Sequence, residues 1–516
     1  MLTGLDYVVI VLYLGGVAAL GILAGGKQRN TSDYFLGGRN IPWIAICFSI
    51  VATETSTLTV IGIPAIAYGG SLTFFQLTLG YLVGRLLVSM YLLPRYFEGR
   101  LETAYGFLGK RYGDGMRATA SVTFLITRLL ADGVRLFATA IPLKVVAEMA
   151  GLSFSYMEII LVIGLITVAY TLIGGIKAVV WMDVVQMILY IGGAVWALII
   201  LMNSVPGGWW STASAAGKTI IFDFSFDKGL VYFLTQPYTF VTAFVGGIFL
   251  SMASHGTDQL IVQRLLACRS LKDGRKALIG SAFLVMAQFA LFLGLGLLLW
   301  SYYGGASVDS LGLTRADEVF PRFIVEGMPA GISGLMLAGI LAAAMSTLSS
   351  SLNALASSSL MDLYERLIGA IRDERKALRF SRWLTLFWGL VFIIFANLFE
   401  NRQNPVVELG LSIASFTYGG LLGIFLLGLL NSRTRQRDAI VGMLVSLAAM
   451  VAIIYGVHYS AAEGWVWAFQ PSAAEEAERE FSSVAWPWYT VIGTLLTLAV
   501  GSLMALRHTQ RSKTRR

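Results

Sequence analysis

Apolar stretches of about 20 residues, the length a helix needs to cross a bilayer, recur along the whole chain. Their limits are 5–25, 41–68, 74–97, 117–147, 156–176, 178–203, 238–264, 277–302, 330–361, 380–399, 405–430, 438–458 and 486–507. Thirteen helices are therefore expected, the fifth and sixth parted by the pair Gly174–Gly175. The polar positions that interrupt this pattern say more than the apolar ones. The ninth span contains LAAAMSTLSSSLN, where Ser346, Thr347, Ser349, Ser350 and Ser351 crowd into less than two helical turns. Positions i, i+3 and i+4 share a helix face, so Ser346, Ser349 and Ser350 point one way, with Thr347 beside them. Small hydroxyl residues are ordinary where membrane helices pack closely. Hydroxyl and carbonyl oxygens also suit hard cations, and from this segment alone the two readings stand level.

Two further spans break their own pattern. The second reads CFSIVATETSTLTVIGIPAIAYGG, with Thr53, Glu54, Thr55, Ser56, Thr57 and Thr59 followed by Gly62 and Pro64. Polar β-branched residues followed by Gly and Pro predict an unwound helix in mid-membrane. Its freed carbonyls would suit a cation and its N–H groups a solute. A simple proline kink is the competing reading, and Glu54 weighs against it. The seventh span carries Gly246, Gly247, Ser251, Ser254, His255, Gly256 and Asp258. Five helices separate the starts of these two irregular segments, which predicts an inverted repeat with a binding site between its halves. Repeat one would be 41–203 and repeat two 238–430. The first helix (5–25) and the C-terminal helices (438–507) would be peripheral, within one transmembrane domain over 1–516.

Ionisable residues inside spans cost roughly 2.5–3.5 kcal/mol each at a helix centre, so each needs a role. Asp183 lies about two turns from the cytoplasmic end of the sixth helix, where shallow burial is expected. It either pairs with neighbouring backbone or Lys177, or supplies the negative charge of a cation site shared with the ninth-helix hydroxyls. Arg128, Asp132 and Arg135 sit at i, i+4 and i+7 on the fourth helix. They form either a neutralising ladder or a stripe whose spare arginine meets a solute carboxylate. Arg85 is expected to be structural, snorkelling or paired.

Composition narrows the class. The 516 residues are 56% hydrophobic and 13% charged, which fits a polytopic membrane protein and not a soluble globule. The net charge of +8 reflects orientation and not nucleic-acid binding. With the N-terminus outside, 28 of the 38 Lys and Arg fall in segments on the inner side. Among these are Arg515 and Arg516 at the C-terminus, whereas the outer loop 460–485 carries Glu475, Glu476, Glu478 and Glu480. An inner (plasma) membrane protein with an outside N-terminus and a cytoplasmic C-terminus follows from the positive-inside rule. The first span is expected to be retained, since no basic n-region or cleavage site precedes or follows it. Two cysteines and three histidines without ligand spacing imply no zinc or iron centre. No Walker motif supplies an ATP engine, and neither an organic cofactor nor an obligatory protein partner is indicated.

The motifs TSDYFLGGRNIPW, ETAYGFLGKRYG, TLIGGIKAVVWMDVVQ, DQLIVQRLLACRSLKDGRKAL and LAAAMSTLSSSLN, in this order, resemble the sodium:solute symporter family. The resemblance covers nearly the whole chain. It implies an all-α, leucine-transporter-type core of two inverted five-helix repeats and sodium as the coupling ion. Matched to the family pattern, one sodium would be held by the carbonyls of Ala52, Thr55 and Ala343 and the side chains of Ser346 and Thr347. In members similar to the sialic acid transporters, a second sodium would draw on Asp183, Ser346, Ser349 and Ser350. Solute contacts would fall among Glu54, Ser56, Thr57, Arg135, Ser254 and His255. Glu54 and Ser56 stand where proline transporters place an aspartate and a serine, while a match to the sugar-contact set is missing.

The expected function is sodium-coupled import of a small polar solute (sugar, amino acid, sialic acid or carboxylate) by alternating access. Proton coupling through Glu54 or Asp183, or a transporter-like membrane sensor, are the alternatives. A membrane enzyme built on His255 and Asp258 is disfavoured, because nothing nearby supplies a nucleophile or a metal.

Overall fold

The computed structural model describes residues 3–25, 28–149, 151–398, 406–469 and 481–513. Lys27, Glu475, Glu476, Glu478, Glu480, Arg515 and Arg516, all of which bear on orientation, lie outside the described residues, as does the start of the span at 405. Among the described residues nine helices are long and apolar enough to cross a membrane, or ten if the bent pair Trp43–Glu54 and Thr57–Gly69 is one span.

The three remaining expected spans are also present as helices. Residues 156–176 and 178–203 are two helices that meet end to end within Tyr156–Ser204 and part at Gly175 (φ 58°, ψ −162°), where the Gly174–Gly175 pair predicts the break. Only glycine adopts that backbone without strain. A Cβ there would also lie 2.7 Å from the Tyr34 carbonyl oxygen. The helix Asp114–Met149 is long enough to span, but Arg117, Arg128, Asp132, Arg135, Lys144 and Glu148 lower its apolarity. The first helix, Gly4–Gly25, is apolar along its length and 22 residues long, enough to span.

The chain divides into two compact units, each discontinuous in sequence. The first comprises Met1–Phe75, Arg128–Ile221 and Gln259–Gly410. At its centre is the hydroxyl-rich helix Ile332–Ser358, in which every residue from Met336 onward is buried. A helix buried all round belongs to a protein core and not to a lipid-facing wall. It packs along Tyr156–Ser204, Gly4–Gly25 and Glu374–Leu398. Both halves of the bent pair pack against Leu271–Tyr302.

The second unit comprises Gln76–Thr127, Phe222–Asp258 and Leu411–Arg516. Within it the helices Phe75–Leu87 and Phe240–Gly256 touch backbone to backbone. A Cβ on Gly80 would lie 2.3 Å from the Phe244 carbonyl oxygen, the close approach that small residues permit in membranes. Arg85 is fully buried, so it does not snorkel. The all-helical expectation also misses a small sheet. Val457–Ser460 pairs antiparallel with Gly464–Trp467, Val457 opposite Trp467, and with Ser482–Ser483, His458 opposite Ser483.

Candidate functional site

The second span is broken. Trp43–Glu54 and Thr57–Gly69 meet at 62°. The unwound residues are Thr55 (φ −84°, ψ 98°) and Ser56 (φ −98°, ψ 176°). The Thr55 N–H still donates to the Val51 carbonyl (2.9 Å), after which Ser56 starts a new helix by accepting from the N–H groups of Thr59 (2.9 Å) and Val60 (3.2 Å). The carbonyls of Ala52 and Thr55 thereby drop out of the helical ladder. The break thus falls within the polar run, and Gly62 and Pro64, which follow it, sit inside the continuous second half. The hydroxyls of Thr53 and Thr55 donate back to the carbonyls of Ser49 and Val51, each at 2.7 Å, a bond that bends helices. Thr55 Oγ1 also accepts from Gln288 Nε2 (2.6 Å), a partner outside the span.

The hydroxyl-rich helix lies beside this break. Thr53 Oγ1 is 3.3 Å from Ser350 Oγ, and Thr57 Oγ1 donates to the Ile340 carbonyl at 3.3 Å. These contacts bracket the stretch between them, so residues 53–57 run alongside 340–350. Ala343, Ser346 and Thr347 fall within that bracket, with Thr347 Oγ1 donating to the Ala343 carbonyl (3.2 Å). Ala52, Thr55, Ala343, Ser346 and Thr347 are all buried. The stretch is rich in neutral oxygen donors, the chemistry a hard monovalent cation requires.

One turn on, Asp183 is fully buried, which corrects the shallow position expected of it. Its Oδ1 accepts from Ser346 Oγ (2.5 Å), and its Oδ2 from Ser49 Oγ (2.5 Å) and Arg264 Nη2 (3.2 Å). Its ion-pair partner is Arg264, not the Lys177 considered from the sequence. Arg264 Nη2 also meets Ser350 Oγ, while its Nε donates to Ser49 Oγ (2.9 Å) and its Nη1 to the Leu260 carbonyl (2.7 Å). Ser349 and Ser350 both donate back to the Ser346 carbonyl, at 3.0 and 2.7 Å. Asp183, Ser346, Ser349 and Ser350 are thus one cluster, with a guanidinium already on its carboxylate.

Arg264 is the main residue that sequence reasoning missed. At the last position of the expected seventh span, it is fully buried on the helix Gln259–Leu266. Its signal was available: an arginine on the polar run DQLIVQR, directly after an interrupted helix. Gln288 is the other miss, a lone amide in the apolar span of Leu271–Tyr302.

The stripe on Asp114–Met149 forms a ladder. Asp132 Oδ1 accepts from Arg135 Nη1 (2.9 Å) and Arg128 Nη1 (3.4 Å). Ser351 Oγ donates to Asp132 Oδ2, so this hydroxyl of the cluster has a charged partner on another helix. Arg128 is buried, whereas the Arg135 side chain keeps 16% of its surface exposed. Glu54 is half-buried; Ser56 and Thr57 are buried. Thr57 Oγ1 accepts from Thr139 Oγ1 (3.0 Å), one turn beyond Arg135. Ser254 and His255 belong to the second unit, where Ser254 Oγ lies 2.8 Å from His255 Nδ1. The helix ends at Gly256 and restarts at Gln259, so the interruption falls at Thr257–Asp258. The Asp258 carboxylate accepts from Tyr418 Oη (2.6 Å).

Comparison with known proteins gives the arrangement its context. The sodium:solute symporter family model matches residues 34–446. The sodium/sialic acid symporter of Aliivibrio fischeri is 27% identical over 97% of this chain and 93% of its own length. That of Proteus mirabilis is 29% identical over 88% and 90%. The human sodium/iodide cotransporter is 28% identical over 87% and 70%. Among solved structures, a sodium-coupled sialic acid symporter in a substrate-bound, outward-open state, described as revealing a novel sodium site, superposes with a TM-score of 0.82 at 27% identity. The match covers 98% of both chains. A nucleobase-cation-symport-1 family transporter shares the fold at a TM-score of 0.55 and 14% identity.

Proposed function

The chain belongs to the sodium:solute symporter family, and from that premise we propose which of its residues couple sodium to solute. The protein is a sodium-coupled symporter that crosses the membrane many times, and not an enzyme. In our reading the carbonyls of Ala52, Thr55 and Ala343 and the hydroxyls of Ser346 and Thr347 hold one sodium ion. The observation that carries this is the bracket of Thr53–Ser350 and Thr57–Ile340, which sets freed carbonyls beside a buried hydroxyl face. Sodium bridging the broken helix and the hydroxyl-rich helix would favour one state of an alternating-access cycle, and solute would raise sodium affinity by the factor that sodium raises solute affinity. Ser346→Ala removes a ligand from both ion sites. It is expected to abolish sodium-stimulated uptake in proteoliposomes, and undiminished uptake would sink the assignment.

A second sodium would be held by Asp183, Ser346, Ser349 and Ser350. Arg264 shares that carboxylate, so this ion would bind in competition with a guanidinium, and more weakly than the first. For solute we favour an anion or a polar molecule bearing a carboxylate, received by Arg135 with Glu54, Ser56 and Thr57 nearby in the first unit. The partial exposure of Arg135 and the sialic acid relatives support this reading. Arg135→Gln is expected to lower affinity for carboxylate solutes while leaving sodium-induced thermal stabilisation intact. Unchanged carboxylate counterflow in that variant would rule the role out. Repeats over 41–203 and 238–430, an outside N-terminus and residence in the plasma membrane complete the proposal. Both compact units draw on both repeats, as interleaved halves would.

A further inference from the structure

The helix Leu271–Tyr302 starts with a basic rim. Lys272, Arg275 and Lys276 are exposed there, and Ile279 and Phe283 follow on the same side at helical spacing. Together with Trp43, at the start of the broken helix, they line a groove of about 900 Å³. The Lys276 ammonium stands 5.6 Å from the centre of the Trp43 ring. Gly280 also lines the groove, and a Cβ there would sit 3.2 Å from Cys47 Sγ and 3.9 Å from the Trp43 ring, so glycine lets the two helices approach closely at this point. Phe283 is 58% exposed, and Ile44, next to Trp43, is 48% exposed.

We propose that this groove binds an anionic phospholipid, its phosphate on Lys272 and Lys276 and an acyl chain along Ile279 and Phe283. Three observations converge on that occupant. The groove is cationic at one end and apolar toward the other, which matches the polarity of a phospholipid along a spanning helix. Trp43 lies at the junction, where tryptophan's apolar body and polar edge suit the membrane interface. Lys272 and Lys276 are four apart, a spacing at which like charges repel, and a phosphate between them turns that repulsion into attraction. Basic pockets between spanning helices are a known way to hold anionic headgroups. Ordinary lysine snorkelling would explain the charges alone, but it requires neither the groove nor the aromatic at its rim. The proposal rests only on Leu271–Tyr302 crossing a membrane, so it stands apart from the sodium and solute assignments.

Native mass spectrometry of the full chain, purified in a non-ionic detergent and titrated with phosphatidylglycerol or with phosphatidylcholine of the same acyl chains, tests it. Phosphatidylglycerol should be retained preferentially. The double variant K272Q/K276Q should lower that retention roughly tenfold or more, while R375Q/K376Q, a basic pair at the start of another helix, should not. Equal retention of the two lipids, or full retention by K272Q/K276Q, would overturn the proposal. Inorganic phosphate provides the second arm. Thermal stabilisation by phosphate equal to that by phosphatidylglycerol would mark a plain anion site and also overturn it. If the double variant is not monodisperse, the single variants K272Q and K276Q carry the same comparison, each with a smaller expected loss.

Discussion

At the scale of single residues, the chemistry turns on how buried charge is shared. Asp183 and Arg264 are both fully buried and linked at 3.2 Å. Removing one member of such a pair strands the other in a low-dielectric interior, at a cost of roughly 3–5 kcal/mol. Arg264→Gln should therefore unfold at a distinctly lower temperature than the parent in sodium-free buffer. Because the stranded carboxylate is then open to a cation, added sodium should stabilise this variant more than the parent. An equal sodium response in both would mean that no ion reaches Asp183. Asp183→Asn tests the same cluster from the other side. It should keep sodium-dependent uptake through the first site, while the sodium dependence loses its sigmoid form.

At the scale of elements, the hydroxyl-rich helix needs its N-terminus held, and the first helix holds it. Asp6 Oδ1 accepts from the N–H groups of Gly331 and Gly334, both at 2.8 Å, and its Oδ2 from the Thr3 N–H (2.7 Å) and hydroxyl (2.8 Å). A carboxylate at a helix N-terminus satisfies orphan donors and the helix dipole together. Asp6→Ala should cost about 1–2 kcal/mol, read as a lower unfolding temperature. Sodium affinity should fall with it, because the helix that carries Ser346 and Thr347 loses an anchor. Unchanged stability would show that Thr3 and solvent replace the cap. Two broken helices and Gly175 were legible in the sequence as elements, since Gly, Pro and hydroxyl runs are local signals. The two residues at which the polar run unwinds, Thr55 and Ser56, were not fixed by local pattern alone. Their choice depends on where the threonine hydroxyls bond back and on Gln288, a partner more than 230 residues away.

At the scale of the whole molecule, the stoichiometry sets the electrical work. Each charge moved through 100 mV is worth about 2.3 kcal/mol. Two sodium ions with one monovalent anion carry one net positive charge per cycle, whereas one sodium with that anion carries none. Uptake of a carboxylate solute into proteoliposomes should therefore rise when a potassium diffusion potential makes the interior negative. Uptake indifferent to that potential would reduce the coupling to a single ion. Sodium alone should also stabilise the purified protein, by about 2.7 kcal/mol at a hundredfold excess over its Kd.

The order of spans, the hydroxyl cluster and the charge bias between loops were determined by the sequence itself. They rest on composition and helical period, which need no knowledge of neighbours. The pairing of buried charges was decided only by the tertiary structure. Asp183 and Arg264 are 81 residues apart, and Ser351 and Asp132 are 219 apart. Local pattern marks such residues as costly in a membrane, but only packing selects which opposite charge or hydroxyl relieves the cost.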